Sequence, residues 1–522
     1  MAADLVDRPV SAEPNSGRVA RVLFSLLLIL LALLAVEVLL EAWVQELLGD
    51  RFVRTDDVLR RLGGSVPEWP KTLKNGLLLA LVAVSIMKIT MERRWREFTT
   101  RADLALVVLG GLMVAAGLLG TSGPVLIGQA LFVYFRGAIV FYAVRALRPS
   151  WDRFRWVLWA TGAVLAANVL VALVQMVAGW PAYRGVGWVD PTWADIHRAQ
   201  GLLDHPNHLG HVLGLVLIGM VAWMAGLSRI TWRWWTAFGA AALGLAATQS
   251  RESMVATIIG AAVVWFLRRQ GGRTVIIASA VVLALFGANL VVRPENLQEI
   301  KFRLGGVSDA ISTPSGTENC AGYKTIQECT DAGKAPSREI RLLFYQQGAR
   351  LLVHRPLLGY GVGQFGGIVA EQNDPNWEKD PRLGPEGFNL YDFGGTTVDS
   401  FWLHLVVEVG LLGLIAYLAW LVLLALPLIR SSRRYRRSRE PEQAEPAEAE
   451  ATGAWAVGAL VFAVIVAALS PALEDPLFPP LVFGIVGIAW VLNSRRRGTS
   501  PGRAAQTAEL ASGRPPSSPD VS

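Results

Sequence analysis

The stretch Val398-Asp-Ser-Phe-Trp-Leu-His404-Leu-Val-Val-Glu408-Val-Gly410-Leu-Leu-Gly413 marks the point where a long polar segment meets a long apolar one. Apolar residues continue to Leu428. The stretch is therefore longer than the roughly 20 residues that a helix needs to cross a bilayer core. Asp399 opens this span, and His404 and Glu408 lie four residues apart within it, where they could hydrogen-bond. Ionisable side chains inside a membrane span are usually functional, although such a pair can also serve only to hold helices together. The stretch therefore predicts a membrane helix with polar chemistry at its mouth.

Apolar runs of membrane-spanning length recur along the chain, which is 52% hydrophobic and contains 19 Trp among its 522 residues. Because a bilayer core requires such runs, the composition indicates a membrane protein rather than a soluble one. We predict an all-α polytopic membrane protein with about 12 transmembrane helices and one long external loop that contains a short amphipathic helix. The predicted spans are 22–43, 73–91, 103–120, 124–145, 156–178, 208–227, 232–248, 253–267, 274–292, 399–428, 453–470 and 477–493.

Arginines concentrate in alternate connections, as the positive-inside rule describes for cytoplasmic loops. This pattern predicts a multi-pass protein of the cytoplasmic membrane with both termini in the cytoplasm. The net charge of +7 is mainly a topology signal with a weaker attraction to anionic lipid, and the dispersed basic residues argue against nucleic-acid binding. The predicted order is a disordered cytoplasmic N-terminus (1–17), helices 1–9 (18–292), a large periplasmic-side loop (293–398), helices 10–12 (399–493) with a cytoplasmic linker (431–452), and a disordered cytoplasmic tail (494–522).

The 293–398 loop is too long for a plain connection, and we expect it to be functional. Within it, residues 338–353 have the periodicity of an amphipathic helix, with Arg341, Tyr345 and Gly348 along one face. Such a helix could lie on the membrane surface or cap the helix bundle.

The two cysteines of the chain, Cys320 and Cys329, both lie in this loop. Their restriction to the oxidising side of the membrane favours a local disulfide, the alternative being two free thiols. Two cysteines without nearby histidines supply at most half of a zinc site, so no metal is expected.

Three arginines are candidates for binding an anion. Arg251 lies between two apolar spans, where a guanidinium is costly unless an anion or a carboxylate satisfies it. Its alternative role is that of a turn arginine that reaches a lipid phosphate. Arg341 and Arg198 also lie near span ends, and guanidinium groups bind phosphate oxygens in bidentate fashion. Three such groups together would suit a diphosphate, whereas each one alone is more simply a solvated loop charge.

Asp399 has two possible roles at the start of its span. A carboxylate there could act as general base on a substrate hydroxyl. Asp is also a preferred helix N-cap, and Ser400 could share that role. His404 lies five residues further on, which does not place it on the same helix face, so the two are not expected to act as a direct pair.

Taken together, four segments resemble the O-antigen ligase and polysaccharide polymerase superfamily of bacterial membranes. The resemblance covers about residues 155–428, and it depends on the order and spacing of the segments more than on any one of them. The segments are Arg198-Ala-Gln-Gly-Leu-Leu-Asp-His205-Pro-Asn207, Gln249-Ser-Arg251, Arg341-(x3)-Tyr345 with Pro356-Leu-Leu-Gly359-x-Gly361, and Asp399-Ser-(x2)-Leu403 with Glu408-x-Gly410-(x2)-Gly413.

The resemblance implies an enzyme that moves a glycan from an undecaprenyl-diphosphate-linked donor to a glycan or lipid-linked acceptor on the outer face of the cytoplasmic membrane. Ligases transfer the glycan to a terminal acceptor, and polymerases transfer it to another lipid-linked repeat. Neither is taken to need a metal or other cofactor. Positive charge placed where the leaving group becomes negative would stabilise the transition state of this inverting displacement. By this resemblance the catalytic residues are Asp399, Arg251 and Arg341, and the substrate-binding residues are Arg198, His205, Asn207, Tyr345 and His404.

One departure concerns the base. Ligases of the family carry His-Asn where this chain has Asp399-Ser400, and the unperturbed pKa of Asp is about 3.9 against about 6.5 for His. An acidic residue there is closer to the polymerase branch. His404, His354 and His205 remain possible bases.

Two further functional hypotheses stay open. A transporter or flippase of polyprenyl-linked sugars would also use a basic cavity that faces lipid, but it predicts inverted repeats and a midplane site built from broken helices, which the sequence does not show. A structural or sensory membrane protein would leave the ordered motifs unexplained.

Overall fold

The computed structural model describes residues 17–49, 69–188, 192–227, 229–268, 340–385, 387–390, 397–435 and 446–498, with scattered positions between 276 and 287. Every regular element in these ranges is helical. The α-helices are α1 (Arg18–Gly49), α2 (Trp69–Met91), α3 (Arg101–Leu119), α4 (Pro124–Tyr134), α5 (Arg136–Leu147), α6 (Trp151–Ala178), α7 (Trp180–Gly185), α8 (Thr192–Asp195), α9 (Pro206–Met224), α10 (Trp232–Thr248), α11 (Arg251–Arg268), α12 (Ile340–His354), α13 (Ile368–Asn373), α14 (Phe401–Tyr435), α15 (Pro446–Leu469) and α16 (Phe478–Gly498).

The prediction of an all-α polytopic membrane protein is confirmed. Eight of the described helices are long and apolar enough to cross a membrane, and a ninth candidate is the pair α4–α5, which bends by 58° where one unbroken span was predicted. Helices α10 and α11 form in the seventh and eighth predicted spans but are not among the eight. The count of about 12 therefore stays a prediction, since the ninth span lies largely outside the described residues, as do Cys320 and Cys329.

The beginnings of several helices follow from local sequence. Thr100 and Asp103 form a reciprocal capping box at the start of α3, which satisfies backbone donors that a helix start otherwise leaves unpaired. Helix α4 begins with Pro124, and α9 begins with Pro206 after the capping residue His205. Proline suits this position because its missing N–H would have no helical partner anyway.

Helix α9 lies at the centre of the bundle, with 78% of its most apolar window buried. It packs against α10, α11, α15 and α16, while α1 and α2 pair with each other and α3 packs on α14. The predicted loop helix is confirmed as α12, and it packs on α14. Its buried face includes Leu343, Phe344 and Leu351. This arrangement holds the polar face of α12 above the beginning of α14.

Helix α14 is broken at Gly410, which has a positive φ of 71°. The turn 356–361 fills the break: Tyr360 N donates to Val407 O (2.8 Å), and Leu411 N donates to Pro356 O (2.8 Å). Non-helical backbone at membrane depth is tolerated only where such groups are satisfied within the protein. The two glycine-containing motifs of the sequence are thus the two halves of one structural joint.

Candidate functional site

The candidate site lies where the beginnings of α11 and α14 meet α12. Arg341 on α12 reaches across this junction, so that its NH2 lies 3.1 Å from Asp399 Oδ2 and 4.0 Å from Glu252 Oε2. The side chains of Arg341 and Asp399 are 27% and 25% exposed, whereas that of Glu252 is 7% exposed. The cation is therefore held between two carboxylates at an accessible position.

The three predicted arginines lie close enough for the charges of Arg251 and Arg341 to act on Arg198. Burial lowers the pKa of Arg198, and the charges of Arg251 and Arg341 act in the same direction, while the charge of Glu252 opposes them. Arg198 is itself anchored, since its Nε donates to Thr248 O (3.0 Å) and its NH2 donates to Asn207 Oδ1. The cluster therefore combines residues from three separate segments.

Asp399 is not the cap of α14. Ser400 Oγ accepts a hydrogen bond from Leu403 N (3.3 Å), which is the N-cap pattern. Burial raises the pKa of Asp399 above its ordinary value, and the nearby charge of Glu252 raises it further, while Arg341 opposes the shift. Ser400 is thus the N-cap of α14, and the carboxylate of Asp399 is left to contact Arg341 in the candidate site.

Tyr345 connects α12 to the two helices below it. Its hydroxyl donates to the backbone carbonyl of Ala468 (2.6 Å) and lies 2.7 Å from the hydroxyl of Ser400. Tyr345 lies one helical turn from Arg341, so these bonds fix the face of α12 that carries the arginine.

The predicted substrate-binding residues His205 and Asn207 lie at the start of α9. His205 Nδ1 accepts a hydrogen bond from Asn207 N (3.0 Å), and burial lowers the pKa of His205 to about 3. His205 is therefore a neutral cap at pH 7, and Asn207 reaches the cluster through Arg198. His354, the third possible base, lies at the end of α12 and its Nδ1 contacts Arg350 O (2.9 Å).

The hydrogen bond that the spacing permits between His404 and Glu408 is not formed. His404 is fully buried, and its Nδ1 lies 2.6 Å from Glu474 Oε1. Glu408 instead accepts from the Tyr134 hydroxyl (2.9 Å) and from Phe365 N (3.1 Å). The four-residue spacing permits their contact, but each has a closer partner on another segment. These groups hold α14 against α4 and the loop before α16.

Sequence reasoning missed a second set of polar residues beside the cluster. His208 lies between two carboxylates, with Nδ1 2.6 Å from Asp204 Oδ1 and Nε2 2.8 Å from Asp475 Oδ2. One turn further on, the buried His211 Nε2 lies 3.2 Å from Glu252 Oε1. The available signal was the spacing of three between these histidines, which places them on one face of a helix.

Within the described ranges, no group of three or more His, Cys, Asp and Glu side chains is arranged to hold a metal ion.

Comparison with curated proteins finds no match. Residues 236–418 match the family model described as O-antigen ligase. The matched segment runs from α10 through the first half of α14, and it contains Arg251, Arg341 and Asp399. It also contains the glycine joint at Gly410. Together with the multi-pass helical fold, this match over part of the chain supports an O-antigen ligase- or polymerase-like function in general.

Proposed function

We propose that the chain transfers or polymerises an undecaprenyl-diphosphate-linked glycan on the outer face of the cytoplasmic membrane, in the biosynthesis of a cell-surface polysaccharide. The observation that carries this proposal is the arginine cluster of Arg198, Arg251 and Arg341 beside the carboxylate of Asp399. A diphosphate leaving group and an acceptor hydroxyl need opposite chemistry at neighbouring positions, and this cluster offers both.

The arginines would hold the diphosphate of the donor. When the bond between the anomeric carbon and the phosphate oxygen breaks, negative charge develops on that oxygen. Fixed guanidinium groups stabilise such charge without reorganising, and their planar donors match phosphate geometry. Because Arg198 is anchored by Thr248 O and Asn207, part of the positive charge is already in place before the donor binds.

Asp399 would act as the general base. It would take the proton of the acceptor hydroxyl while the hydroxyl oxygen forms a bond to the anomeric carbon from the face opposite the diphosphate, which inverts the configuration. The raised pKa of Asp399 makes it a stronger base than an ordinary Asp, since basicity follows pKa. The raised pKa supports the proposal that a carboxylate acts as base where ligases of the family have histidine.

An apolar cavity of about 1120 Å³ offers room for the lipid chain of the donor. Its walls come from α1, α5, α6, α9, α10, α15 and α16, and its α9 side runs from Val212 to Trp223. Val212 follows His211 directly in α9. A polyprenyl chain entering here would have its diphosphate end near the arginine cluster.

Transport of a polyprenyl-linked glycan is the second candidate, and the break of α14 at Gly410 favours it, because transporters build their sites from broken helices. In this chain, however, the break is filled by the protein's own turn 356–361. The break therefore does not offer the cavity that a transported substrate needs.

The test uses purified protein in detergent with undecaprenyl-diphosphate oligosaccharide as donor. The variants are Arg251→Ala and Arg341→Ala, and Arg350→Ala is the matched control because it is an exposed arginine on the same helix as Arg341. Removing one preorganised charge should lower turnover by about 100- to 1000-fold, while the control stays near wild type.

Unchanged product with both cluster variants would refute the diphosphate clamp. Lengthening of the donor without another acceptor would identify a polymerase. Movement of the intact donor across a vesicle membrane without any new glycosidic bond would support the transporter instead.

A further inference from the structure

Glu252 is the second carboxylate, beside Asp399, at the arginine cluster. Its side chain is 7% exposed, with Oε2 4.0 Å from Arg341 NH2 and Oε1 3.2 Å from His211 Nε2. A buried carboxylate is costly unless it is paired. Glutamate in the first turn of a helix also complements the helix dipole, and Glu252 is the second residue of α11. Interaction with the helix dipole does not require the Glu252 side chain to extend towards Arg341 on α12.

The charge of Glu252 acts on the whole cluster. It supports the charged form of Arg198, and it opposes ionisation of Asp399. Arg341 is shared, because Asp399 is its closer partner at 3.1 Å and Glu252 its farther partner. Glu252 therefore lies beside Arg341, one of the arginines to which the donor diphosphate is proposed to bind.

We propose that Glu252 competes with the diphosphate for Arg341. In the empty site the Glu252 carboxylate takes the place of the leaving group, and after the reaction it speeds release of the undecaprenyl diphosphate product. This inference rests on the proposed function. When the donor binds, a phosphate oxygen takes the Arg341 contact and Glu252 keeps its contact with the buried His211. When the glycan has been transferred, Glu252 competes again for Arg341 and weakens the hold on the product.

A resident anion matters because the product carries the same diphosphate as the donor. Arginines that bind the leaving group in the transition state also bind it after the reaction, and tight binding of the product slows turnover. Repulsion between like charges at this distance weakens binding of the product. Glu252 thus allows three arginines to act in the transition state without trapping the released carrier.

The experiment measures inhibition of wild type and variants by undecaprenyl diphosphate, together with its binding by tryptophan fluorescence. Glu252→Gln keeps the size of the side chain and removes its charge. We expect it to bind the product about tenfold more tightly, a change of about 1.4 kcal/mol, with a lower KM for donor and a lower kcat. Glu371→Gln on α13 is the matched control and should behave as wild type, whereas Arg341→Gln should lose the inhibition.

Equal or weaker product binding by folded Glu252→Gln would overturn the inference. Glu252→Met supplies a second neutral side chain of similar length if Glu252→Gln does not fold. If neither variant folds, Glu252 has a structural role and the inference is overturned. If undecaprenyl diphosphate does not inhibit wild type and Arg341→Gln behaves the same, the proposed function fails. If wild type is inhibited and Arg341→Gln is not, but neutral variants bind no tighter, only the role of Glu252 fails.

Discussion

Asp399→Asn is the sharpest test of the chemistry, because the substitution removes a proton acceptor and keeps the shape of the side chain. The Asn amide oxygen can still accept from Arg341 across the present 3.1 Å, so the position of α12 should not change. A positioned general base contributes about 100- to 10,000-fold to rate. We therefore expect kcat to fall by at least about 100-fold, while KM for the donor changes little.

The pH dependence gives the same residue a second readout. Asp399 must be deprotonated to act as base, so activity falls as the pH drops through its pKa. Because burial raises that pKa, the acid limb of kcat/KM should lie above the range of an ordinary Asp. Arg341 opposes this shift, so Arg341→Gln should move the acid limb of its residual activity to still higher pH.

Gel analysis of lipid-linked oligosaccharide supplies the assay, and Ser400→Ala is the matched control. Ser400 caps α14, so its loss should cost about 0.5–2 kcal/mol of stability without a 100-fold effect on kcat. If Asp399→Asn retains wild-type kcat, or loses stability and activity in the same proportion as Ser400→Ala, Asp399 is not the base.

The remaining predictions concern the packing that supports the site. Glu474→Ala should destabilise the protein by about 3–5 kcal/mol, since it leaves the buried His404 without the partner 2.6 Å away; an unchanged unfolding midpoint in detergent would contradict this. Gly410→Ala should lower the free energy of unfolding by about 1–3 kcal/mol, because a non-glycine residue is strained at positive φ. The loss should be larger still, because the new Cβ would lie 2.2 Å from Leu357 O. Faster proteolysis near residue 357 in the variant would show that the turn has left α14.

Local patterns predicted most of the helices. The 338–353 periodicity matches α12 (Ile340–His354) within two residues, because an amphipathic stripe depends only on neighbours along the chain. The bend between α4 and α5 was missed, since Phe135 at the break is neither Pro nor Gly. No Pro marks the break, and Pro is the usual sequence signal of a sharp kink.

In the candidate site, too, local sequence predicts some features, and others depend on how the helices pack. Arg251, Arg341 and Asp399 could be singled out because charged residues at the mouths of apolar spans are conspicuous. Their convergence could not be predicted, because it depends on how α12 docks on α14. Glu252 is not among the residues that the sequence singles out. Adjacent helical residues face different ways, and it is the position of α12 that brings Arg341 to Glu252.

The turn 356–361, which fills the break of α14 at Gly410, fixes the position of α12 in the site. Arg341 belongs to α12 and Asp399 precedes α14, so their 3.1 Å contact is only as fixed as the docking of the loop on that helix. The turn 356–361 follows directly after α12 and bonds to both sides of the break at Gly410. A loop held by hydrogen bonds to backbone inside the bundle cannot slide along α14 without leaving those groups unpaired, at about 1–3 kcal/mol each. The turn 356–361 therefore sets the register of the arginine that we propose binds the diphosphate.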